Sequence, residues 1–243
     1  AARRTMRRLD EGVVCPGDVT GRLLEFVKQH FTTFELPPAL SDELLALAPA
    51  GLRPFTPKEL REYLARKLTD AKKRERRLAH PAWGGLLAPS FVLELLGFCA
   101  RDLKPSAGGF FSSGGYSDLT GLYLLPLATG GLERLGAPGY LIASQQQQLL
   151  LPHLRHRFTH ALCLEQGEVE QLFSSSEPFR RALKLEELSL EFLSKELRLP
   201  QPKPSAEWLH AFWSTVARQV QVGGEQAQMW GGGGVRASDA KLL

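Results

Sequence analysis

The feature that most constrains this chain is a succession of leucine-rich runs with helical spacing, each closed by a proline-containing break. Residues 57–68, PKELREYLARKL, place Leu60, Leu64 and Leu68 on one side of a helix, because side chains four apart stack on one face. Thr56 stands where an N-cap belongs, Pro57 at the first helical position and Glu59 at capping-box spacing. Residues 89–103, PSFVLELLGFCARDL, carry Ser90 as a cap and are apolar on most sides, the pattern of a buried helix. A longer helix is expected over 178–199, with Leu185, Leu188, Phe192 and Leu199 on one stripe and Leu193 and Leu197 flanking it. From Ser205 another begins, its Trp208, Leu209, Phe212, Trp213, Val216 and Val220 falling in a band about 140° wide at 100° per residue. Both of these tryptophans are expected in the core. No alternating run reads as a strand, so the expected fold class is mostly α.

Helix, break and helix recur along the chain. Segments 36–68, 117–154 and 186–220 share this outline, and units of such length are expected to stack around a continuous core. The architecture expected is irregular helix-pair repeats stacked into an α-solenoid. Residues 1–33 form an N-terminal basic segment and first helix, 34–222 the repeat domain, and 223–243 a flexible Gly-rich tail.

The clearest copy contains Pro202, Pro204, Glu207 and Trp208. This box resembles that of the octotricopeptide repeat proteins of green-algal organelles, relatives of the FAST-kinase-like RNA-binding proteins. The resemblance spans 36–220 and is best over 186–220. It implies paired helices that bind organellar RNA, in members that also serve as subunits of mitochondrial ribosomes. Anchor leucines at 60, 119 and 188 are unequally spaced, which fits a degenerate repeat turned structural subunit.

Charge supplies a second line. The net charge of +4 is unevenly spread: residues 1–110 hold 18 Lys/Arg against 13 Asp/Glu, and the remainder 12 against 13. An anionic partner is therefore expected on the N-terminal half. Its focus is RKLTDAKKRERR (66–77), where Arg66, Lys67, Lys72, Lys73, Arg74, Arg76 and Arg77 face only Asp70 and Glu75. Such a cluster neutralises phosphates with salt-dependent, largely sequence-independent affinity; the plainer reading is a solvated helix extension. A second basic stretch, LLLPHLRHRFTHALC (149–163), reads as one helix with Leu151, Leu154, Phe158 and Leu162 on one face. His153, His156 and His160 lie opposite, with Arg155 and Arg157 beside them. Arg155, His156 and Arg157 are candidate RNA contacts. His153 and Cys163 would stand about 15 Å apart on a helix, too far to share one ion, so no metal is expected.

Nothing points to catalysis. ARDLKP (100–105) echoes a kinase catalytic loop but lacks its histidine and asparagine, and Asp102 and Lys104 are expected to close a helix instead. Glu165, Glu168 and Glu170 read as solvated helix charges. Cys15, Cys99 and Cys163 are widely spaced and odd in number, which points to reduced thiols. The Arg-rich, acid-free AARRTMRR suits the remnant of a mitochondrial or plastid transit peptide. The expected protein is thus a non-enzyme without cofactor, binding RNA, foremost rRNA, and neighbouring proteins in a mitochondrial or chloroplast assembly. The alternative is a helical adaptor without RNA contact, presenting an apolar patch around 119–132.

Overall fold

In the computed structural model the residues described are 13–34, 52–71, 88–103, 115–197 and 204–229. They are mostly helical, but short strands alternate with the helices, and among the described residues no repeated helix-pair stacking is seen.

Strand β1 (Val13–Cys15) is buried throughout and leads into helix α1 (Gly21–His30), which buries Leu23, Phe26 and Val27. The chain then returns beside β1, where Thr33 bridges Val14 in parallel. On its other edge β1 pairs in parallel with β2 (Leu52–Pro54). Helix α2 (Pro57–Ala71) follows, and its start is the capping box read from the sequence: Glu59 N–H donates to Thr56 Oγ1, and Thr56 N–H donates to Glu59 Oε2, both at 3.2 Å. These two bonds satisfy backbone donors that a helix start otherwise leaves open.

Helix α3 (Pro89–Ala100) is the centre of the larger core. Phe91, Val92, Leu93, Leu95, Leu96 and Cys99 are fully buried, and the helix touches α1, α2, strand β3 (Leu125–Pro126) and a later helix, α5 (Gly167–Ser174). An apolar surface on every side requires neighbours on every side. Its cap position is Ala88, with Pro89 in the first turn, so Ser90 lies inside the helix rather than capping it. Gly97 marks the closest approach to α5: a Cβ there would meet Val169 Cγ2 at 3.2 Å. The α2–α3 contact is locked by Arg61, which donates to Cys99 O at 2.6 Å and to both carboxylate oxygens of Asp102. Asp102 therefore ties two helices together instead of closing one; Lys104 lies outside the described residues.

The apolar stretch 119–132 is core rather than surface, with Leu119, Leu122, Leu124 and Leu125 buried. It enters a 3₁₀ turn (Tyr116–Leu119), then β3, which forms an antiparallel hairpin with β4 (Leu132–Glu133). Strand β5 (Tyr140–Ile142) pairs in parallel with β6 (Leu185–Glu187). Bridges from Leu127 to Thr159 and from Leu141 to Phe158 join hairpin and pair into one mixed ribbon. Strands this short show no alternation in sequence, since period two needs about four residues to register.

Two predicted helices are broken by this ribbon. Residues 178–199 divide into α6 (Glu177–Ala182), β6 and α7 (Leu190–Glu196). Lys184 adopts φ +54 in the turn between α6 and β6, a left-handed conformation that ends a helix. Residues 149–163 likewise divide into a 3₁₀ helix (Pro152–Arg157), the bridging Phe158–Thr159 and a second 3₁₀ helix (Ala161–Leu164). The glutamine run does form a helix, α4 (Gln145–Gln148), with a capping box on Ser144. Helix α5 (Gly167–Ser174) lies between these and α6.

The last helix, α8 (Ala206–Met229), starts at Ser205, whose Oγ accepts from Trp208 N–H at 3.1 Å. It runs past 223, where the sequence placed the start of a tail; residues 230–243 lie outside the described residues. Gly223 and Gly224 each cost about 1 kcal/mol against alanine in a helix, yet EQAQM beyond them propagates well. Through Ala211, helix α8 docks on a smaller core formed by Leu141, Leu150, Leu151, Leu154, Phe158, Leu188 and Leu193.

Candidate nucleic-acid interface

Of the first basic cluster, Arg66 and Lys67 lie in α2, beyond the buried Leu60 and Leu64. Arg66 is exposed, and its Nε donates to the carbonyl of Glu62 at 3.3 Å, which lays the side chain along the helix. Lys72, Lys73, Arg74, Arg76 and Arg77 lie outside the described residues.

The second basic stretch is built differently from its sequence reading. Its apolar residues are buried as expected at Leu151, Leu154 and Phe158, but no single helix presents the histidines together. Arg155 and His156 are exposed on the 3₁₀ helix and pair with no carboxylate among the described residues. Arg157 serves the fold: its Nε donates to Gly139 O at 2.8 Å, and its guanidinium sits 5.6 Å from the Phe192 ring centre. His153 Nε2 is 3.9 Å from Glu196 Oε2. His160 caps the second 3₁₀ helix, its Nδ1 accepting from Leu162 N–H at 3.3 Å, and burial lowers its pKa, with Glu165 pulling weakly the other way. Desolvation pushes the Cys163 thiol up to about 12. Such a histidine and thiol stay neutral, and among the described residues no group of three or more His, Cys, Asp or Glu could hold a metal.

A groove of about 240 Å³ opens between the β1–α1 loop, α3 and the start of α5, lined by Asp18, Glu94, Arg101, Gln166 and Glu168 among others. Three of its charged residues are held in ion pairs. Arg22 reaches Glu94 at 3.2 Å and Arg101 reaches Glu168 at 3.4 Å. Glu94 Oε2 is buried and accepts no well-formed hydrogen bond, so its contact with Arg22 is Coulombic only. Glu165, Glu168 and Glu170 are exposed, as solvated charges should be.

Helix α8 departs most from expectation. Trp208 is half-buried, stacks on Phe212 with ring centres 5.4 Å apart and planes at 7°, and donates from Nε1 to Leu150 O at 3.4 Å. Trp213, expected in the core, is 64% exposed, and Leu209 one turn before it is 41% exposed. The broad apolar band held the signal. Ala211, Thr215, Trp208 and Phe212 face the body, while Leu209 and Trp213 occupy an adjoining sector left exposed, with Val216 half-buried at its edge.

Among the described residues no helix is long and apolar enough to cross a membrane. Comparison with family models, curated proteins and solved structures finds no match to this chain.

Proposed function

We propose that the protein is a non-catalytic RNA-binding protein of helical-repeat type, a ribosomal or ribosome-associated subunit of a mitochondrion or chloroplast that contacts rRNA. The observation carrying this reading is the density of cations at 66–77, seven against two acids, entered through a well-capped helix with Arg66 exposed. Arg155 and His156 supply further exposed donors. Phosphates are held by charge and counterion release, so binding is steeply salt-dependent and tolerant of sequence. The box around Trp208 and the solenoid architecture it implies belong to the same proposal.

The test is binding of a structured RNA across a salt series. Replacing all seven cations at 66–77 by alanine should lower affinity and flatten the slope of log K against log salt by several units, near 0.9 for each duplex phosphate no longer neutralised. An unchanged slope refutes the cluster as the phosphate grip. A second reading, a helical adaptor without RNA contact, is favoured by the exposed Leu209 and Trp213 on α8, not by 119–132, whose leucines are buried. Absence of binding by the intact chain at low salt would select it.

A further inference from the structure

We draw no further inference here: the strongest candidate, the groove of about 240 Å³ between the β1–α1 loop, α3 and the start of α5, offers only helix starts and a few acidic side chains, and the unbonded Glu94 Oε2 beside it is shut off from solvent against Arg22, so nothing in the structure shows what would fill it.

Discussion

Arg61 and Asp102 join α2 to α3, and the unequal burial of the two partners predicts an unequal cost of removing them. The Arg61 side chain is 10% exposed and that of Asp102 is 40% exposed. Arg61→Met keeps the apolar stem and removes the guanidinium. Asp102 then rehydrates, and the loss falls mainly on the Cys99 carbonyl and the charge-assisted bonds, about 2–3 kcal/mol. Asp102→Ala leaves a buried guanidinium with only the Cys99 carbonyl, for which the scale of a broken buried pair applies, about 3–5 kcal/mol before solvent access to the aspartate side is allowed for. Urea titration of the two variants measures both, and melting points should fall by about 2–4 °C per kcal/mol in a chain of this size. The double variant should cost less than Asp102→Ala and about as much as Arg61→Met, because removing the guanidinium also removes the unpaired buried charge. If Arg61→Met costs more than Asp102→Ala, or both cost under about 1 kcal/mol, the pair is not the clamp between these helices.

Stability should also report on His160. Its folded pKa lies below the ordinary 6.5 because of burial, so the unfolded chain takes up the proton first, and the group's contribution is present above about pH 6.5 and is lost as pH falls below it. His160→Gln should flatten the stability–pH slope on that acid side; an unchanged slope would falsify the assignment. The three thiols give a second readout. Burial pushes Cys99 and Cys163 to about 12, leaving almost no thiolate on either at pH 8, and raises Cys15 as well. A thiol reagent should label the native chain slowly and at a rate set by unfolding, with all three cysteines reacting at once in denaturant. Fast labelling of any one under native conditions contradicts its burial.

What the sequence determined by itself was local. The α2 capping box rests on Thr56 and Glu59, three residues apart, and α3 is apolar all round over one short segment; both signals are complete before the chain folds. The start of α8 at Ser205 is of the same kind. The breaks in 149–163 and 178–199 were not legible, because leucine spacing there satisfies a helix while Phe158 and Leu185–Glu187 are claimed by β5, and Thr159 by Leu127, from a distance. A strand of two or three residues draws its stability from a partner remote in sequence, so no window around it contains the cause. The candidate interface divides in the same way. Net positive charge at 66–77 is a property of composition, whereas Arg157 became a structural donor only because Gly139 and Phe192 were brought to it. The apolar arc of α8 was visible in the sequence, but which part of it meets the body and which part Trp213 holds outward depends on where the smaller core places its neighbours. A sequence sets the angular width of a helix's apolar face; only tertiary packing decides how much of that width is covered.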